Sequence, residues 1–128
     1  MTEAFIYDAI RTPRGKGKKD GSLYEVKPIN LLAGLLSQLH QRNQFETSAV
    51  DDIVMGVVSP IGEQGSVIPK VAALKAGWDF QASGVQINRF CASGISILDF
   101  EALSPLLSAP SPKAATITSA SALIDKAS

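Results

Sequence analysis

The sequence predicts an α/β fold in which a mainly parallel sheet carries packed helices, in the order strand, helix, strand, helix, strand. Three observations lead there. Short apolar runs alternate with segments whose leucines and alanines recur at helical spacing. The run DDIVMGVVSP (51–60) is nearly continuous in apolarity, as expected of a strand covered on both sheet faces. Glycine and proline mark the boundaries between runs. Strands that alternate with helices pair in parallel, because each helix returns the chain to the same end of the sheet.

Each element has its own warrant. EAFIYDAI (3–10) reads as a buried strand, ended by the basic, glycine-rich RTPRGKGKKDG. In KPINLLAGLLSQLHQR, Leu31, Leu32, Leu35, Leu36 and Leu39 form one stripe, and Pro28 suits the first helical turn. Gly34 weakens that helix only slightly. Asp51 and Asp52 are adjacent, so a strand points them to opposite faces and they cannot share a proton. They read as a polar lead-in to the second strand. After the loop IGEQGS comes the helix VIPKVAALKAG, with Pro69 in its first turn. Gly77 is its left-handed terminator, and Trp78 is placed to fold back against it. SGVQINRF (83–90) is the third strand. A helix is expected to continue through Leu103. Pro105, Pro110 and Pro112 then predict irregular chain, with a short apolar piece around Ala114 to Ile117.

Composition narrows the class. With 128 residues, 45% apolar and 19% charged, the chain is a one-domain globular protein with room for a core. Twelve basic and twelve acidic side chains cancel, so the net charge does not argue for nucleic acid or an anionic membrane, and neither is expected as a partner. Arg11, Arg14, Lys16, Lys18 and Lys19 crowd one loop, but Asp20 stands where G-x-G-x-x-G needs its last glycine. No Walker motif is present, and no aromatics interleave the charges. That loop reads first as solvated, and second as a contact for the anionic nucleotide end of CoA or for a partner's acidic surface. One cysteine and one histidine make neither an intramolecular disulfide nor a four-ligand zinc site. No run approaches the roughly 18 apolar residues of a membrane span. The expectation is a soluble, cytoplasmic protein in a reducing compartment.

The single cysteine, Cys91, falls where the third strand ends and the small residues Ala92, Ser93 and Gly94 begin. Open parallel sheets collect their chemistry beyond the carboxyl ends of strands. A helix start favours thiolate over thiol, and its free N–H groups can stabilise an oxyanion. Free cysteine is also a common small core residue, so position alone leaves both readings open.

INRFCASG resembles the active-site segment of thiolases, which are acyl-CoA acyltransferases. AIRTPRGKGKKDGSL, DDIVMGVVSPIGEQG and VIPKVAALKAGW resemble further segments of that family, in the right order, from Glu3 to Gly94. The resemblance implies a thiolase-like N-terminal half, incomplete, with residues 1–94 as the family segment and 95–128 as a divergent Pro/Ser/Ala-rich tail. It implies that Cys91 is the catalytic nucleophile, acylated by an acyl-CoA. CoA is then a substrate carrier, and no separate cofactor is expected. Members are typically homo-oligomers. The family's Gly-Gly-x-Glu-Ser segment, its catalytic histidines and its second cysteine have no counterpart here, and His40 matches no catalytic position. His40 reads as a surface residue near a helix C-terminus. A truncated chain without turnover of its own is therefore expected. The alternative is a non-catalytic remnant or a small α/β interaction module.

Overall fold

The computed structural model describes residues 6–97 and, as backbone, 114–119. Helix α1 (Pro28–Asn43) starts at the expected proline and ends where Gln44 turns left-handed, its N–H bonding the carbonyl of His40. Strand β1 (Val50–Gly56) follows a 3-10 turn at Thr47–Ala49. Helix α2 (Ile68–Lys75) and strand β2 (Ser83–Ile87) complete a strand–helix–strand unit. The sheet order is β2-β1-β3, all parallel, where β3 is Ala114–Ser119. No helix among the described residues is long and apolar enough to cross a membrane.

β1 is the centre. Ile53, Val54 and Met55 are fully buried in succession, so both faces are covered, as the continuous apolar run predicts. On one face, Ile53, Met55 and Val57 join Leu32 and Leu36 of α1 and Ile68, Ala72 and Ala73 of α2 in a single cluster. On the other lie Val54 and Gly56. A Cβ on Gly56 would stand 2.8 Å from the Cβ of Ser93 and 3.3 Å from Cδ1 of Ile97. The second face is therefore closed by the helical stretch 93–97, packed directly on the glycine. Between Val50 and Asp52 the β3 register shifts by one, and this irregularity lets Val50 and Ile53 both be buried.

α2 ends as the glycine predicts. Gly77 has φ +79°, its N–H bonds Leu74 and the Trp78 N–H bonds Ala73, which is a Schellman closure. Trp78 folds into the core and meets Phe45 edge-on at 5.3 Å. The start of α2 is capped from outside: Gln86 Oε1 on β2 accepts the Ile68 N–H at 2.7 Å. Gly84 leaves room for this approach, since a Cβ there would lie 2.8 Å from the Lys70 nitrogen. Lys70 Nζ then donates to the carbonyls of Phe80 and Ala82, fixing the chain that leads into β2.

Three expectations are corrected. Of the expected first strand at 3–10, residues 1–5 lie outside the described residues, and 6–10 form no strand. Ile6 and Tyr7 are 82% and 89% exposed. β1 has only two edges, and β2 and β3 occupy both. The 6–10 segment is held instead at the end of α1, where Asp8 accepts from Asn43 Nδ2 at 2.8 Å and pairs with Arg42 at 3.2 Å. Second, the irregular chain expected after Leu103 does not extend over 114–119, which form β3, paired in parallel with β1. Third, the strand expected over 83–90 ends at Ile87, and as an edge of the sheet it is half-buried. Residues 98–103 of the expected helix lie outside the described residues.

Candidate functional site

β1 and β2 run side by side to the same end, with Met55 opposite Gln86 and Gly56 opposite Ile87. The ladder gains one further bond when Val57 N–H donates to the Ile87 carbonyl at 3.0 Å. Regular pairing then gives way to side chains. Asn88 Nδ2 donates to the Val58 carbonyl at 3.1 Å, tying the end of β2 to the chain leaving β1. Its Oδ1 accepts the Phe90 N–H at 3.0 Å, a local turn of the kind asparagine favours.

Phe90 lies in the left-handed region, at φ +48°. For a bulky side chain this conformation costs roughly 1–3 kcal/mol and persists only where neighbours over-determine it. They do. Ser93 Oγ donates to the Phe90 carbonyl at 2.6 Å and accepts the Arg89 N–H at 2.8 Å. The Ser93 N–H adds a second bond to the Phe90 carbonyl at 3.1 Å, and Ala92 N–H bonds Arg89 at 3.0 Å. Helix follows at once, with the N–H groups of Ile95 and Ser96 both on the Ala92 carbonyl. Buried Ser93 and Ile97 seat this stretch on β1.

Cys91 is the residue the turn presents. It is a free, exposed thiol, two residues before the first helical residue and at the carboxyl end of the parallel strands. Among the described residues no group hydrogen-bonds its sulfur. Phe90, just before it, and Ile95, four residues on, are exposed as well. An accessible nucleophile at a fixed backbone position, with small residues after it, can accept an electrophilic carbon without rearrangement of the fold.

The other candidates separate from it. His40 is exposed in the last turn of α1, as expected, with its ring edge-on to Phe45 at 5.4 Å. The basic side chains Arg11, Arg14, Lys16, Lys18 and Lys19 are all exposed, in a loop folded on itself by Leu23 N–H to the Lys16 carbonyl at 3.0 Å. The expectation of a solvated loop holds. Sequence reading passed over Asn88, Ser93 and Gly56 as supports of the turn. The first two had a signal, since an asparagine two residues before a turn position and a serine just beyond it are the usual local hydrogen-bonders. Gly56 had none, because its partner is 37 residues further along the chain.

The site thus defined belongs to a class: a cysteine set just beyond a parallel strand, at the opening of a helical stretch seated on the sheet. Residues 4–100 match the thiolase N-terminal domain, and the chain belongs to the thiolase family. It is 39% identical over 103 residues to the 3-oxoadipyl-CoA/3-oxo-5,6-dehydrosuberyl-CoA thiolase of Escherichia coli (strain K12), covering 80% of this chain and 25% of that protein. To the steroid 3-ketoacyl-CoA thiolase FadA6 of Mycobacterium tuberculosis it is 36% identical over 102 residues, with the same coverage. The fold matches the crystal structure of the Bacillus anthracis acetyl-CoA acetyltransferase with a TM-score of 0.58 and 26% identity, over 70% of this chain and 22% of that one. The chain spans about a quarter of the length of the curated relatives it matches.

Proposed function

We propose that this chain carries the acyl-accepting half-site of a thiolase-type acyltransferase, with Cys91 as the nucleophile. The observation that carries this is the placement of its only cysteine: exposed, on a side-chain-braced turn, at the carboxyl end of the parallel sheet. The thiolate sulfur attacks the carbonyl carbon of an acyl-CoA. The carbon–sulfur bond to CoA breaks, CoA leaves as its thiolate and takes up a proton, and the acyl group remains as a thioester on Cys91. CoA thereby enters as part of the substrate, and no resident cofactor is invoked. Residues 1–94 form the acyl-accepting segment and 95–128 a divergent tail, and the protein acts in the cytoplasm on lipid-derived CoA thioesters.

Condensation requires a second acetyl-CoA deprotonated at its α-carbon, and so a base beside the acylated sulfur. The one histidine, His40, is committed to the end of α1 against Phe45. The chain by itself therefore accepts an acyl group without sustained turnover. Intact-protein mass after incubation with acetyl-CoA is expected to show one added acetyl group, absent in Cys91→Ala. Steady acetyl-CoA production from acetoacetyl-CoA and CoA would refute the lack of turnover, and acetylation that survives Cys91→Ala would refute the assignment of the nucleophile. Self-association, which the resemblance implies for the family, is read by sedimentation velocity, where a monodisperse monomer removes it.

A further inference from the structure

We propose that Asn88 and Ser93 are positioning residues for Cys91, acting as a two-sided clamp that holds Phe90 left-handed and thereby fixes where the sulfur points; this rests on Cys91 being the acyl acceptor. The two side chains grip the residue before the cysteine from opposite directions. Asn88 Oδ1 takes the Phe90 N–H at 3.0 Å, and Ser93 Oγ donates to the Phe90 carbonyl at 2.6 Å. Each side chain also has a second anchor. Asn88 Nδ2 reaches the Val58 carbonyl at 3.1 Å, beyond β1, and Ser93 Oγ accepts the Arg89 N–H at 2.8 Å. The peptide groups on both sides of Phe90 are thus fixed to the sheet end and to the buried helix start, while Cys91 itself is exposed.

The chemistry explains why such a clamp sits here. Cys91 is exposed and its sulfur has no hydrogen-bond partner among the described residues, so its direction is set by the backbone that precedes it. A phenylalanine gains nothing from a left-handed backbone while its ring is 76% exposed. The conformation is therefore imposed by the clamp, and the residue it serves is the next one. Ser93 is buried against Gly56, so its hydroxyl has no solvent alternative and few rotamers. A hydroxyl that both donates and accepts in that space is supplied by serine or threonine only.

The test uses the 128-residue chain and its variants Ser93→Ala, Ser93→Thr and Asn88→Ala. Three quantities are measured on each: acetyl transfer from acetyl-CoA to Cys91, alkylation of Cys91 by iodoacetamide, and hydrogen exchange of the Phe90 and Ser93 amides. Ser93→Ala and Asn88→Ala are expected to slow acetyl transfer by about tenfold, since a shift of the order of 1 Å at a nucleophile costs that much or more. Alkylation, which needs only an exposed sulfur, should change by less than about twofold, and Ser93→Thr should restore most of the transfer rate. Exchange at 90 and 93 should accelerate in the alanine variants while β1 amides stay protected. Transfer that is unchanged in Ser93→Ala, or that falls in step with alkylation, overturns the positioning role. If the wild-type chain accepts no acetyl group, the acyl-acceptor assignment fails. The exchange arm then decides the clamp alone, and equal exchange at 90 and 93 in wild type and Ser93→Ala overturns it.

Discussion

β1 and the 88–97 stretch lie against one another and are held by different physics. β1 is satisfied on every side: parallel ladders on both edges, apolar layers on both faces, Ile53, Val54 and Met55 sealed from water. Among the described residues the stretch after β2 has an isolated bridge at Arg89 and Cys91 and no ladder. Its backbone is held by Asn88 and Ser93 side chains, it contains a strained residue, and it presents Phe90, Cys91 and Ile95 to solvent. Stability resides in the first region, and the second displays the exposed thiol. A turn can hold an unfavourable conformation only when a rigid neighbour supplies fixed anchors; here Gly56 of β1 and Val58, in the chain leaving it, do so.

Substitutions can separate the two. The largest effect belongs to the sealed region. Ile53→Ala, which opens a cavity under α1 and α2, is expected to cost about 3 kcal/mol in urea unfolding. Because the clamp is local, iodoacetamide labelling of Cys91 under native conditions should keep its wild-type rate in that variant. A rate raised in proportion to the lost stability would mean that the turn opens only with the whole domain. Gly56→Ala strikes the junction. The new methyl meets the Ser93 Cβ at 2.8 Å, and a backbone–backbone seat must shift, at about 2 kcal/mol. Here acetyl transfer to Cys91 should fall together with stability, and a variant that loses stability while transferring normally would show that the helix start is not seated on this glycine.

The smallest effect lies at the far end of α1. The hydrogen bond from Asn43 Nδ2 holds the Asp8 carboxyl below its ordinary value of 3.8; desolvation opposes this, and the Ala9 N–H and the Arg42 charge assist it. A folded-state value below the unfolded one means that the carboxylate form stabilises the native chain. The contribution is present above the unfolded value and is lost as pH falls through the lower, folded one. Acidification through that window should release residues 6–10 from α1, seen as sharpened amide resonances at Ile6 and Tyr7, with β1 unaffected. Asp8→Asn should remove the pH dependence of those signals.

Much of this was legible in the chain. Pro28, the leucine stripe, and the Gly77–Trp78 terminator fixed α1 and α2 closely, because helix starts and stops are decided by local sterics and hydrogen bonding. The buried centre of β1 followed from its unbroken apolarity. The strand-end position of Cys91 followed from the sequence, while its expected role came from family resemblance and not from spacing.

What tertiary structure decided was competition. Two apolar segments, 3–10 and 114–117, each had a claim to an edge of β1, and local preference does not rank them, since strand formation depends on what an edge is offered. The structure gives the edge to Ala114–Ser119 and leaves 6–10 outside the sheet, held by Asp8. The clamp is also tertiary in origin. Ser93 is buried because Gly56, distant in sequence, lets it pack directly on β1, so the turn before Cys91 is specified by packing across the sheet and not by the residues of the turn alone.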